Sequence, residues 1–268
     1  MSQEILEGQK IELKRKKRYE EIEFDKLQLY FGEPYVIDLP NAVGSITLYQ
    51  PSLGEIIEIG EKKFYSSLNI FITNTTEYRL PLWENDIDWN DLSDFNLFCM
   101  LYSGIDDDVA KILFHNIQFS NFQLYNNADK NVVLYSEQDD IEINEDVYQH
   151  IHQYLQHAFN MFPEEKITKD ENLKKMFIQK DRNELKNKEK SKKKDGNSIQ
   201  PLISACVNHP GFKYKLREMK ELGIYEFFDS VKRLQIYENS TAIMKGMYSG
   251  FVDGSHIKPE DYNFMKEI

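Results

Sequence analysis

From residue 169 to 195 lysine dominates, and after Met176, Phe177 and Ile178 almost no apolar side chain follows before Gly196. A stretch so poor in apolar area has no face to bury, so it reads as a linker, at most partly helical. That interruption constrains the fold more than any motif does. It divides the apolar pattern into a mixed segment at 26–168 and a helical segment at 198–268, with a charged arm at 1–25 and the linker itself at 169–197. A chain of 268 residues with 41% apolar side chains can build one large domain or two small ones around a sizeable core.

Before the linker the pattern predicts short strands and then helices. Leu27, Leu29 and Phe31 alternate, Tyr35-Val36-Ile37 resumes after Gly32-Glu33-Pro34, and Ser45 to Tyr49 alternates again. Such runs, punctuated by Gly and Pro, predict a small sheet. Ser52 with Glu55 predicts a capping box opening a helix that Gly60 ends. Helical spacing recurs over Phe64–Thr73, over Leu92–Leu101 beginning at Asn90 or Asp91, and over Asp106–His115. A hairpin is expected from Phe119–Tyr125 and Val132–Tyr135, with a short strand at Ile141 and Ile143. Asn144 then caps a helix through Phe162.

After the linker, helices are expected at Ile199–Val207 and Phe212–Leu222. A helix of about seven turns follows, from Gly223 toward Tyr248, and Pro259 opens a last turn. The fold class is α+β: a small N-terminal β-rich part with helices, followed by a mainly helical C-terminal part.

Charge and composition exclude several functions. A net charge of −12 repels a nucleic-acid backbone, so nucleic acid is not an expected partner. No run of 18 apolar residues predicts a membrane span, and the charged N-terminus lacks the apolar stretch of a secretory signal. Cys99 and Cys206, both flanked by apolar residues, read as core thiols of a reducing compartment. The cluster Lys14–Arg18 is followed one helical turn later by Glu20, Glu21 and Glu23, and reads as a solvated helix or frayed arm.

Candidate sites fail on chemistry. Asp86-x-Asp88-x-Asn90 opens like a calcium loop, but Asp91 stands where the sharp turn needs glycine and Leu97 where a bidentate glutamate is needed. His150 and His157 share a helix face while His152 points away, and none is four residues from another with a supporting acid. No nucleophile elbow, phosphate-binding glycine loop or dinucleotide fingerprint occurs. The expectation is therefore no catalytic, cofactor or metal residue and no cofactor.

Three tracts, Gln50 to Tyr65, Asp88 to Phe98 and Ile224 to Arg233, together with the ending Tyr248 to Asn263, resemble proteins of tailed phages and prophages of Gram-positive bacteria. The resemblance spans most of 25–268. It implies a role in tail morphogenesis, as a tail assembly chaperone that covers the tape-measure protein while tail-tube protein gathers, in the host cytoplasm. A structural component of the tail, baseplate or connector, resident in the virion, is the alternative. The partners implied are the tape-measure protein, the tube protein or both, with self-association open.

For partner contact the candidates are Phe227, Phe228, Met244, Met247, Tyr248 and Phe251, an apolar stripe whose end is rich in methionine, which repacks easily against varied surfaces. The competing reading, which comes first for such a stripe, is that these side chains are core. The linker reading carries its own test: limited trypsin digestion should cut first between Lys186 and Lys194 and leave two folded fragments.

Overall fold

The computed structural model describes residues 19–39, 44–127, 130–191 and 199–266, with the side chains of 188–191 excepted. The basic cluster Lys14–Arg18 and residues 192–197 of the linker lie outside the described residues.

Chain order begins with helix α1 (Lys26–Phe31), strands β1 (Tyr35–Asp38) and β2 (Ser45–Leu48), and helices α2 (Leu53–Ile59), α3 (Glu61–Ile72), α4 (Arg79–Glu84), α5 (Asp94–Leu101) and α6 (Asp107–Phe114). Strands β3 (Gln123–Asn126), β4 (Val132–Ser136) and β5 (Ile141–Ile143) follow, then helices α7 (Glu145–Phe159), α8 (Glu171–Ser191), α9 (Gln200–Val207), α10 (Ile224–Tyr248) and α11 (Pro259–Tyr262). Both sheets are antiparallel: β1 pairs with β2, with Ile37 opposite Ile46, and β4 lies between β3 and β5. The class is α+β, with the sheets confined to the N-terminal half and helices dominating after it. Among the described residues no helix is long and apolar enough to cross a membrane.

Helix α7 is the centre of the packing. Asn144 caps it by accepting from the Val147 amide, and Val147, Tyr148, Ile151, Tyr154, Leu155 and Ala158 turn inward at helical spacing. It packs on α3, α5 and α10. Around Phe71 the rings of Phe98, Phe114 and Phe119 gather at centroid distances of 5.6, 5.5 and 5.2 Å, and Tyr148 stacks on Phe98 at 4.8 Å. Offset and edge-on pairs of this kind contribute about 0.5–1.5 kcal/mol each beyond the area they bury.

Residues after the lysine-rich stretch complete this same core, so the fragments expected on either side of a cut at Lys186–Lys194 share one core rather than each burying its own. Ile199, Cys206, Met219, Leu222, Ile224 and Phe227 are buried in the apolar cluster that includes Leu53, Phe64 and Phe159. The join is made by backbone. The Leu53 N–H donates to the Leu222 carbonyl and the Ile224 N–H to the Pro51 carbonyl, each at 3.0 Å, a one-residue antiparallel bridge between Ser52 and Gly223. The capping box of Ser52 and Glu55 forms beside it as expected, the Ser52 N–H donating to the Glu55 carboxylate at 2.8 Å.

Several expectations need correction. Leu27, Leu29 and Phe31 lie not on a strand but on α1, because the Asp25 carboxylate caps Leu27 and Gln28 and Gly32 closes the far end at φ +67°. Only Leu29 is buried, so the alternation does not mark a sheet face. Phe119–Asn121 is a 3-10 turn and β3 begins at Gln123. Helix α5 is capped by Ser93, later than Asn90 or Asp91, and α7 stops at Phe159 because Asn160 takes a left-handed conformation. Phe212–Leu222 contains only a 3-10 turn at Glu218–Glu221. Helix α4 had no signal in the sequence reading. The stretch read as lacking a face to bury forms α8, which does bury one, through Lys174 and Ile178.

Gly54 lies against the carbonyl of Lys220 at the backbone bridge: a Cβ there would stand 2.8 Å from that oxygen. Gly54→Ala should therefore destabilise the protein by about 1–3 kcal/mol, the usual range for overpacking. Gly44→Ala, whose Cβ would meet only the Leu39 side chain at 3.9 Å, should stay within about 0.5 kcal/mol of the parent. Thermal melts of the two variants side by side give the comparison.

Candidate functional site

Helix α10 spans 25 residues, about 37 Å at 1.5 Å per residue. Its first turns belong to the body. Ile224 and Phe227 are fully buried, and Phe228, Val231 and Leu234 pack against the core from its edge. Beyond Leu234 no residue of α10 joins that core. The outer half is covered instead by the chain's own last residues, which turn back along it. The Phe251 and Val252 amides donate to the Gly246 carbonyl at 3.0 and 3.1 Å, and Gly250 makes the turn at φ +74°. Arg233 donates to the carbonyls of Phe264 and Lys266 at 2.7 and 2.8 Å, and the Tyr237 and Phe264 rings meet edge-on at 5.8 Å. The result is a two-layer hairpin standing beyond the core.

On this hairpin the expected contact residues separate. Phe227 is core and offers no surface. Phe228 is half-buried on the wall of a groove near the base of the helix. Met244 is half-buried and lines a crevice of about 420 Å³ with Pro259, Tyr262 and Phe264. Met247 is half-buried too, its side chain lying over Gly254. Tyr248 is 89% exposed and Phe251 91%. The structure thus brings Met247, Tyr248 and Phe251 together at the hairpin tip and leaves Phe227 and Phe228 at its base. Nearer the base, Tyr237 of the same stripe meets Phe264 of the returning tail, and Met265 beside it is 75% exposed; Phe264 and Met265 are not among the expected contact residues. Those two come from the returning tail, and no periodic spacing links them to α10.

The groove at the base, of about 760 Å³, runs between the segment Glu21–Leu29, the end of α7 and the start of α10. Phe24, Phe162, Tyr225 and Phe228 line it, with Glu21, Glu23 and Asp229 as acids and Lys26 and Lys232 as bases. Residues 19–25 reach it by lying on α7: Tyr19 donates its hydroxyl to Glu145, the Ile22 amide donates to Gln153 at 2.9 Å, and the Phe24 ring meets Tyr35 at 5.1 Å. Burial holds the Asp229 carboxyl above the usual carboxylate range, against the pull of Arg233 and Lys232 and with some help from Glu226.

Residues that drew attention as ligands have structural roles. His152 is buried, its Nδ1 2.7 Å from the Phe71 carbonyl and its Nε2 2.9 Å from the Gln156 amide. A carbonyl only accepts, so Nδ1 carries the proton and Nε2 accepts from Gln156. His150 pairs with the Tyr35 hydroxyl at 2.6 Å, and the His157 ring lies 5.2 Å from that of Phe24. Asp88 accepts from the Asn90 amide at 3.0 Å and from Lys174 at 2.5 Å. Cys99 and Cys206 are buried, and burial pushes the Cys99 thiol up to about 12, far from a reactive thiolate.

An α+β body carrying a projecting helical hairpin is the class of protein that the geometry defines. Residues 188–268, which hold that hairpin, match a family described as the YomV second domain, a phage-associated domain family. The match covers less than a third of the chain. No curated protein and no solved structure matches the chain.

A carboxyl raised by burial costs folding stability wherever it is ionised. The cost is absent below the unfolded carboxyl pKa and grows as pH rises through the folded one. Asp229→Asn should therefore melt higher than the parent at pH 7, and the two melting curves should converge as pH falls below about 4. An unchanged difference across that range would mean that burial of the charge is not what the substitution relieves.

Proposed function

We propose that the protein is a non-enzymatic phage assembly factor, a tail assembly chaperone that holds the tape-measure protein through the tip of the α10 hairpin. The observation that carries this reading is the pair Tyr248 and Phe251, almost fully exposed at that tip, inside the segment that matches a phage-associated family. Two aromatic side chains left in water are a standing cost that contact with an apolar partner removes. Each offers about 150–250 Å² for burial, several kcal/mol at about 25 cal/mol per Å² before the losses of association.

Tape-measure proteins are long helices whose apolar stripes need cover until the tube closes round them. A helical hairpin with an aromatic tip and flexible methionines behind it suits reversible contact with many such turns. In this reading the chaperone works in the host cytoplasm and leaves before the particle matures.

Tyr248→Asp with Phe251→Asp should leave the circular dichroism and melting curve of the parent intact and weaken co-purification with a tape-measure fragment at least about tenfold, which corresponds to about 1.4 kcal/mol. Met244 and Met247 are poorer probes, because both are half-buried within the hairpin and an aspartate there disturbs its packing. Capture unchanged in the double variant would reject the tip as the contact. Stoichiometric presence of the protein in purified particles would replace the chaperone with a structural tail component.

A further inference from the structure

Helix α8 is attached to the body in an unusual way. Beneath it lies a second apolar cluster, separate from the main core, made by Leu82, Trp89, Leu92 and Leu97 with Trp83 at its edge. From the described side chains of α8, a helix of 21 residues, that cluster receives one fully buried aliphatic side chain, Ile178 at 2% exposure, and part of Phe177. Leu173, Met176 and Leu185 on the same helix face solvent. Full burial of one aliphatic side chain contributes only about 1.5–3 kcal/mol, too little to order a helix of this length against its conformational entropy.

Directional polar contacts do the rest. Arg79 grips Asp181 with two bonds of 2.5 and 2.6 Å while lying over the Phe177 ring, Lys174 reaches Asp88 at 2.5 Å, and Arg182 reaches Glu84 at 3.3 Å. The approach to the helix is clipped in the same manner. Trp89 donates its indole N–H to the Lys166 carbonyl at 3.1 Å, and the Lys166 amide donates to the Thr76 hydroxyl at 3.0 Å. Among the described residues, none of the main core comes from α8.

We propose that residues 163–182 form a releasable strap: the segment opens as a unit while the body stays folded, baring the apolar surface around Trp83 and Trp89. Ionic clips suit such a device. They lock one geometry when all are made, lose their grip when charge is removed, and leave the cores of α3 and α7 untouched. Both tryptophans of the chain lie under the strap, so its opening has a private optical signal.

The near-isosteric double variant Asp88→Asn with Asp181→Asn removes the charge from two clips. Amide exchange over 171–182 should become at least about tenfold faster. Exchange over 61–72 and 145–159 should stay at the parent's rate, tryptophan emission should move to longer wavelength, and the dye ANS should bind. Exchange that remains slow over 171–182, or that accelerates equally across all three segments, overturns the proposal, because α8 is then an integral part of one cooperative unit. Should the double variant fail to fold, the single variant Asp181→Asn decides: the acceleration must appear there too, confined to 171–182. A uniform or absent response in that variant rejects the strap.

Discussion

Two backbone hydrogen bonds, Leu53 to Leu222 and Ile224 to Pro51, join the halves of this chain, and the placement of every later element depends on them. Each contributes only about 1 kcal/mol net. Their importance lies in position. They set the start of α2 against the start of α10, and they require Gly54 to lie against the Lys220 carbonyl, where no larger residue fits unshifted. With that contact made, Leu222, Ile224 and Phe227 enter the core beside Leu53, and the direction of α10 is decided. A hairpin standing off the body is what remains of a seven-turn helix once its first three turns are used for anchorage.

The body and the hairpin are stabilised differently. Around α7 the stability is aromatic and fully desolvated, with His152 spending both ring nitrogens on partners within the core. On the hairpin the apolar area is shared between two thin layers, and much of it stays wet: Tyr248, Phe251 and Met265 are exposed. Small two-layer units bury too little to be rigid on their own. Adaptability at the tip and precision at the base are thus properties of one helix, divided near Leu234 by the edge of the core. The strap at α8 is a third regime, in which charge rather than apolar area holds a helix in place.

Elements whose ends carry their own hydrogen-bonding groups were legible from residues alone. Ser52 with Glu55, Asn144 and Asp106 satisfy backbone amides within three residues, so α2, α7 and α6 are readable locally. The hairpin of β3 and β4 and the span of α10 were legible for the same reason, from turn residues and a sustained period. Reading failed at α1, where three alternating apolar residues mimic a strand but Asp25 and Gly32 cap a helix. It failed again at α8, where the buried face includes a lysine. Lys174 is covered because Asp88, 86 residues earlier in the chain, lies opposite it, and a hydropathy pattern counts lysine as solvent-facing.

The contact surface divides along the same line. That the end of α10 is aromatic and rich in methionine is written in the sequence, and so is the α+β class. Which of those side chains face water is not. Phe227 and Phe228 are neighbours of one type, and one is core while the other edges a groove, because only the bridge at Gly223 sets how α10 is rotated against the body. Phe264 and Met265 are laid beside Arg233 and Tyr237 only when Gly250 turns the chain and Arg233 catches the returning backbone. Local chemistry, acting within a few residues, determined the elements and their caps. The exposure of each apolar side chain was decided by contacts between residues far apart in the chain, which no local pattern records.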